Sequence, residues 1–467
     1  MDWQTQRVVV IGAARQGTAL SRYLAQQGAQ VVLTDARTAD QLDNVIQELS
    51  GLPIEWALGG HPLNLLDGAA LVCPSGGVPL SIPLVEEARR RGIPLSNDSQ
   101  VFLDAAPCRV VGITGSAGKT TTTTLVGRMA EETAAMKLTG DAYVHKAFVG
   151  GNIGSPLIAQ VDEMQAEDIA VVELSSFQLE LMTTSPQVAG LLNLTPNHLD
   201  RHGDMASYSS AKSHIFAHQS ENDLTVLGYE NEAAWAFAPD VPGRLAAFGR
   251  QLPEGVSGSF VRDGFIWLRM NGAEQKIMPL SDIQLRGEHN LLNVLAACAL
   301  AAAADFPPEA MQAAVGGFNG VEHRLEFVGQ WGGANWYNDS KATSPAMSVT
   351  AIRAFTEPLV VLAGGRDKHL PWEAFAAAAQ ERVDHLILFG EAAPVIEAAL
   401  DKEKNYTLEV CGTLEQAVEA AARCAAPGDV VLLAPGGTSF DAFSDYEARG
   451  RRFKQQFQKL PQKENER

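Results

Sequence analysis

Five apolar runs that each end in glycine or a small polar residue constrain this chain more than any other feature: VVVIGAARQG, VVGITGSAGK, VVLAGGRDK, LILFGE and VVLLAPGGTS. Val, Ile and Leu without polar alternation suit strands buried on both faces of a parallel sheet, and the helical-looking segments between the runs suit the crossovers that parallel strands require. The expected fold class is α/β. A chain of 467 residues has room for about three domains. The Pro-containing joint DAAPCRVV and the Gly-rich VGGFNGVEHRLE are natural breaks, giving 1–106, 107–320 and 321–467. In GFIWLRMNGAEQKIMPL, Asn271-Gly272 separates two strand-like runs, which predicts a hairpin and so a small antiparallel sheet on the central domain.

A formal charge of −19 excludes a general nucleic-acid binder, because no basic face survives such an excess of carboxylates, and any anionic substrate must meet a local basic site. The opening MDWQTQRVVVIG lacks the basic and long apolar regions of a signal peptide, and LLNVLAACALAAAA is too short and Ala-rich to span a bilayer. Cys73, Cys108, Cys298, Cys411 and Cys424 follow no zinc spacing or pairable framework and read as reduced thiols. The expectation is a cytoplasmic protein with no membrane or nucleic-acid partner.

The run ending in ITGSAGKTT offers a glycine turn between a strand and a helix, where backbone N–H groups and the helix dipole attract an anion. Lys119 then suits the outer phosphates of ATP and Thr120 a magnesium ion. The usual spacing places a glycine six residues before the lysine; Ile113 stands there, and Gly112 is one place early. A plain strand-to-helix turn is the alternative. Glu173 in VVELSSFQLE and His198 in LLNLTPNHLDRHG also follow apolar runs, so Lys119, Glu173 and His198 are expected to share one cleft at the carboxyl ends of strands. Singly, Glu173 reads as a capping carboxylate and His198 as a structural histidine; together they suit a magnesium site. His198 also suits a base for an amine, although a metal-bound ring nitrogen cannot accept a proton as well.

VVVIGAARQG followed by Asp35, 18 residues beyond Gly17, looks like a dinucleotide-binding opening and makes an NAD-dependent dehydrogenase the rival class. Ala14 replaces the middle glycine of that fingerprint. A non-catalytic nucleotide sensor is disfavoured by the number of potential catalytic groups.

The segments TGSAGKTT, GGNIGSP, VVELSSFQLE, NHLDRH, GEHNLLN, EHRLE, NDSKAT and LLAPGGTSFDAF occur in an order that resembles the Mur ligases over nearly the whole chain. The resemblance implies three α/β domains: a Rossmann-like first domain, a P-loop-type central ATPase domain and a Rossmann-like third domain. Within the family, GAARQG, LTDAR, NDSKAT and SFDAF are most similar to members that add D-glutamate to UDP-N-acetylmuramoyl-L-alanine, with another amino acid as the alternative. A monomer using ATP and two magnesium ions is implied.

The resemblance also assigns residues. ATP would lie on Gly115, Ser116, Ala117, Gly118, Lys119, Thr120 and Thr121, with Asn152 near the phosphates, Asn290 and Asn293 near the adenine end, and Arg324 and Asp339 from the third domain. The metal set becomes Thr120, Glu173, His198 and a carbamylated Lys212, a lysine that read alone is a solvated helix residue. Lys341 joins Lys119 in stabilising transferred charge. The UDP precursor would meet Ala14, Arg15, Gln16, Asp35, Ala36, Arg37, Ser75, Gly76 and Gly77, and D-glutamate would meet Thr343, Lys368, Ser439, Phe440 and Tyr446. The loop at Ser75 lacks the proline of the family's usual SPG pattern.

Overall fold

The computed structural model describes residues 2–140, 143–401, 403 and 405–461. Among these residues the strands build three sheets. The first contains β1 (Arg7–Ile11), β2 (Gln30–Asp35), β3 (Ile54–Leu58) and β4 (Leu71–Pro74), all parallel, in the order β3-β2-β1-β4. Because the chain leaves β1 toward β2 and returns on its other side as β4, the strand order reverses at β1, the usual place for a ligand crevice.

The second sheet holds β5 (Arg109–Thr114), β6 (Ala147–Gly151), β7 (Ile169–Glu173), β8 (Val188–Leu191), β9 (Leu224–Gly228), β10 (Arg244–Phe248), β11 (Ser257–Arg262), β12 (Phe265–Met270) and β13 (Ala273–Pro279). Its order is β13-β12-β11-β10-β9-β8-β5-β7-β6, parallel from β6 through to β11 and antiparallel at β11-β12-β13. The Asn271-Gly272 turn does join two antiparallel strands, and both residues take positive φ, 51° and 80°. The antiparallel strands extend the edge of the central sheet through β10 and β11 rather than standing apart. The order reverses again at β5, flanked by β7 and β8.

The third sheet, β14 (Glu326–Trp331), β15 (Ala334–Asn338), β16 (Leu359–Gly364), β17 (His385–Phe389), β18 (Thr407–Val410) and β19 (Val430–Gly436), runs β14-β15-β19-β16-β17-β18, parallel except for the β14-β15 hairpin.

These sheets divide between two compact units. One runs through Ile283 and resumes at Glu288–Gly317; the other comprises Gln284–Gly287 and the chain from Phe318 onward. In the first unit, one apolar cluster joins Leu24, Leu33 and Phe102 to Val110, Phe148, Leu157 and Leu174, so the first two sheets share a core. In the second unit, apolar side chains cover both faces of the third sheet, Leu359, Val361 and Phe375 on one and Trp336, Val360 and Leu414 on the other. Among the described residues no helix is long and apolar enough to cross a membrane.

Candidate active site

The turn after β5 leads into the helix Lys119–Ala135. Gly118 caps that helix with φ 84°, a conformation that favours glycine, and a Cβ there would stand 2.2 Å from Asn293 Oδ1 and displace that amide. Lys119 curls over the turn and donates from Nζ to the carbonyls of Gly115 (2.8 Å) and Ser116 (3.3 Å). Asn193, after β8, braces the turn from the other side: its Oδ1 accepts from the Ala117 N–H and its Nδ2 donates to the Ala117 carbonyl. Ser116 Oγ lies 2.9 Å from the Tyr208 hydroxyl and accepts from the Thr195 N–H.

At the end of β7, Glu173 is 2 % exposed. Its Oε2 accepts from Thr120 Oγ1 (2.9 Å) and its Oε1 from Asn152 Nδ2 (2.8 Å), so the residues of three adjoining strand ends meet at one carboxylate. Lys212, on the helix Met205–Ser213, is equally buried at 2 %, with Nζ 3.0 Å from Thr114 Oγ1. Burial pushes its amine well below the usual lysine range, the nearby Lys119 adds to the push, and Glu173 opposes it. Asn290 and Asn293 are one turn apart on the helix Glu288–Ala303, and Asn293 Nδ2 donates to Asn290 Oδ1. That helix packs along Lys119–Ala135, which brings Asn293 against Gly118 of the turn.

His198 is exposed and begins the helix Leu199–His202 with φ 53°, its ring edge-on to Phe177 at 5.1 Å. Thr120, Glu173, Asn152, Lys119 and Lys212 therefore form one cluster, and His198 stands at the end of β8 in the same unit. The oxygen donors Thr120 and Glu173 suit a small hard cation such as magnesium, with Asn152 orienting the carboxylate. Among the described residues no group of three His, Cys, Asp or Glu side chains could hold a metal, and a magnesium ion on Thr120 and Glu173 would take its remaining oxygen ligands from elsewhere, water included.

The residues expected on the UDP precursor gather at the carboxyl ends of β1, β2 and β4. Gly17 packs so closely that a Cβ would stand 1.8 Å from the Gly12 carbonyl oxygen, which explains the second glycine of GAARQG. Asp35 accepts from the Ala13 N–H (2.7 Å) and from Arg37 Nε (3.0 Å) and Nη2 (2.9 Å). Burial works to raise its pKa, but these hydrogen bonds outweigh it and hold the carboxyl well below the usual range. Ala36 follows it in the turn. Gln16 Oε1 accepts from the Gly76 N–H, Ser75 Oγ donates to the Gly12 carbonyl, and Gly77 completes the turn; Ala14 caps the helix Arg15–Gln26. Arg15 reaches across to the Gly154 carbonyl (3.0 Å) in the β6 loop.

In the second unit, β15, β19 and β16 are neighbours, and their carboxyl ends carry Asp339, Lys341 and Thr343, then Ser439 and Phe440, then Lys368. Asp339 is buried and accepts from the Leu325 N–H beside Arg324; burial raises its pKa to about 6, against the pull of Arg324 and Lys341. Lys341 Nζ lies 5.8 Å from the centre of the Tyr446 ring. Lys368 and Phe440 are exposed, and Ser439 is buried.

Sequence reasoning missed three residues. Arg449 is fully buried and donates to Ser340 Oγ, the Ser340 carbonyl and the Gly437 carbonyl, tying the β15 and β19 loops together. Arg201 donates to the Gly76 and Val78 carbonyls. Tyr208 meets Ser116 in the turn after β5. Arg201 lies inside the segment NHLDRH, of which only His198 was singled out.

Comparison with known proteins identifies the class. Residues 113–301 match the Mur ligase middle domain, 323–437 the Mur ligase glutamate ligase domain and 6–97 the Mur ligase MurD-like N-terminal domain. The chain belongs to the Mur ligase family, which removes the dehydrogenase reading of its first domain. It is 41% identical to the UDP-N-acetylmuramoylalanine–D-glutamate ligase of Symbiobacterium thermophilum over 452 residues, 96% of this chain and 97% of that one. The enzyme of the same name from Koribacter versatilis is 38% identical over 99% of this chain and 100% of its own length. Among solved structures, UDP-N-acetylmuramate-alanine ligase MurC of Thermotoga maritima aligns with a TM-score of 0.59 at 20% identity, covering 98% of this chain and 100% of that one. MurF of Acinetobacter baumannii aligns with a TM-score of 0.56 at 16% identity, covering 96% and 93%. The fold is thus the three-domain α/β Mur ligase fold.

Proposed function

We propose that this chain is an ATP-dependent ligase that joins D-glutamate to UDP-N-acetylmuramoyl-L-alanine in peptidoglycan precursor synthesis, releasing ADP and phosphate. The observation that carries this reading is its 41% identity, along nearly the full length of both chains, to a D-glutamate ligase. The domains serving the three substrates are 1–106 for the UDP precursor, 107–320 for ATP and 321–467 for D-glutamate. The protein acts as a monomer in the cytoplasm, where its nucleotide substrates are made.

The chemistry explains the residues. A carboxylate does not form an amide with an amine unaided, so the L-alanyl carboxylate first attacks the γ-phosphorus of ATP, forming an acyl phosphate and expelling ADP. Two unit charges about 4 Å apart repel by about 4 kcal/mol at an effective dielectric near 20, and a triphosphate carries several charges. Magnesium, when bound, supplies positive charge against that repulsion. Residues 115–121 cradle the phosphates with backbone N–H groups. Lys119 exchanges its two carbonyl partners for phosphate oxygens, and Thr120 and Glu173 hold the cation, with Asn152 keeping the carboxylate in place. Asn290 and Asn293 lie toward adenine, and Arg324, Asp339 and Lys341 complete the ATP site. The amine of D-glutamate then attacks the acyl carbon, and the tetrahedral intermediate expels phosphate. His198 serves as metal ligand or as the base that frees the amine.

Lys212 carries a carbamate. A neutral, buried amine adds carbon dioxide, forming an N–C bond and losing a proton, and the product is an anion suited to a second magnesium. Its depressed basicity supports this, because only the unprotonated amine is a nucleophile. Thr343, Lys368, Ser439, Phe440 and Tyr446 receive D-glutamate, with Lys368 opposite a carboxylate. Ala14, Arg15, Gln16, Asp35, Ala36, Arg37, Ser75, Gly76 and Gly77 hold the UDP handle.

The decisive assay incubates the protein with ATP, magnesium and UDP-N-acetylmuramoyl-L-alanine against a panel of amino acids and measures phosphate release. Release should depend on D-glutamate and on the UDP precursor. Preference for any other amino acid overturns the assignment.

A further inference from the structure

The loop Ser75–Val78 is held from two sides. On one side Gln16 and Gly12 of the first-domain turn bond Gly76 and Ser75. On the other, Arg201 of the central sheet's loops donates from Nη1 to the Gly76 carbonyl (2.9 Å) and from Nη2 to the Val78 carbonyl (2.5 Å). The same guanidinium lies 3.9 Å from the centre of the Phe177 ring. Phe177 follows Glu173 by four residues, and its ring stacks on His202 at 5.2 Å and meets His198 edge-on. His202 in turn lies 2.9 Å from Ser176 Oγ and packs edge-on against Tyr208, whose hydroxyl reaches Ser116 in the phosphate turn. An unbroken series of contacts thus runs from the Ser75–Val78 loop to the phosphate turn, and Arg201 is its link between the two sheets.

We propose that Arg201 is a positioning residue that fixes the Ser75–Val78 loop, and with it the phosphate end of the UDP precursor, relative to the strand ends that carry Glu173 and His198. The statement about the precursor rests on the function proposed above; the clamp itself does not. Arginine is required because a planar fork can donate to two carbonyls at once while lying flat on an aromatic ring, whereas a lysine ammonium offers one compact charge. General adhesion of the first domain to the central one has other sources, such as the Asn97 Nδ2 bond to the Gln178 carbonyl and the shared apolar core. What Arg201 adds is directed at one ligand loop.

The test uses Arg201→Lys, which keeps the charge, alongside Arg201→Ala, in the full-length chain. Hydrogen exchange of the ligand-free proteins comes first: exchange at residues 75–78 should quicken about ten-fold, the worth of roughly one charge-assisted hydrogen bond, while β1 and β2 keep their protection. In steady-state assays, the KM for UDP-N-acetylmuramoyl-L-alanine should rise about ten-fold while those for ATP and D-glutamate stay within about two-fold. Unchanged loop exchange in Arg201→Lys overturns the clamp. A looser loop with all three KM values moving together, or none moving, makes Arg201 structural and overturns its role toward substrate. A looser loop in a protein whose wild type neither binds nor turns over the UDP precursor supports the clamp and refutes the function proposed above. Arg201→Lys keeps the test open if the alanine variant fails to fold.

Discussion

Replacing Asp98 by Asn should stabilise the first unit, and should do so only above a definite pH. Asp98 opens the helix Asp98–Ala105, where a carboxylate is ordinarily favoured by the helix dipole, yet it is 5% exposed and its Oδ1 has no hydrogen-bond partner among the described residues. Burial raises its pKa from 3.8 to about 6, against weaker opposition from hydrogen bonds, including those of Gln178 and Ser99. Between those pH values the native state keeps a proton that the unfolded chain has released, so stability falls as pH rises through the interval and levels off above about pH 6. Each pH unit is worth about 1.4 kcal/mol, so the full loss is about 3 kcal/mol. Asn titrates nowhere in this range. In urea denaturation, the stability of Asp98→Asn minus that of the wild type should therefore grow by about 3 kcal/mol between about pH 3 and 7 and then stay flat. The difference cancels other titrations common to both proteins. A difference that does not change with pH, or that shrinks as pH rises, would show that the carboxyl is not held protonated by burial and would refute the reasoning.

Lys212→Ala should abolish phosphate release, with partial rescue by a short-chain carboxylate such as acetate; full activity without rescue would remove the carbamate from the mechanism. Gly118→Ala must take φ 84° with a methyl 2.2 Å from Asn293 Oδ1, so calorimetry should show ATP binding weakened about ten-fold or more. Unaltered ATP affinity would mean that the turn does not cradle phosphate. Arg449→Ala leaves the Ser340 and Gly437 carbonyls without their buried donor and should cost the second unit about 3 kcal/mol or more in denaturation. A loss below about 1 kcal/mol would show that water replaces the guanidinium.

The strands were legible because their cause is local. Runs such as VVVIG and VVLLAPG have no polar alternation, and each is a strand buried along almost its whole length. The hairpin at Asn271-Gly272 was legible for the same reason, since two adjacent residues with positive φ sufficed to predict it. Its attachment to the central sheet depends on β10 pairing in parallel with β9, and β11 with β10, through crossovers that the hairpin's own pattern does not record. The glycine turn between β5 and the helix Lys119–Ala135 was legible despite its displaced glycine. Asp35 was legible as a residue type at the right distance, but not as a carboxylate already saturated by Ala13 and Arg37.

Lys212, Arg201 and Arg449 were not legible from residue type and spacing. On a helical pattern, lysine and arginine read as solvated, and only tertiary packing puts Lys212 and Arg449 inside and lays Arg201 on Phe177. The packing that hides Lys212 from sequence reasoning also gives it its chemistry. A solvated lysine is protonated at neutral pH and adds to nothing, whereas burial next to Lys119 lowers the amine's basicity and so favours the unprotonated, nucleophilic form. The Lys119 charge that disfavours a second ammonium there favours an anion, so conversion to a carbamate turns a repulsive neighbour into an attractive one. The carbamate proposed above would thus gain from Lys119 what the ammonium loses, while Glu173, which favours the ammonium, would oppose the anion.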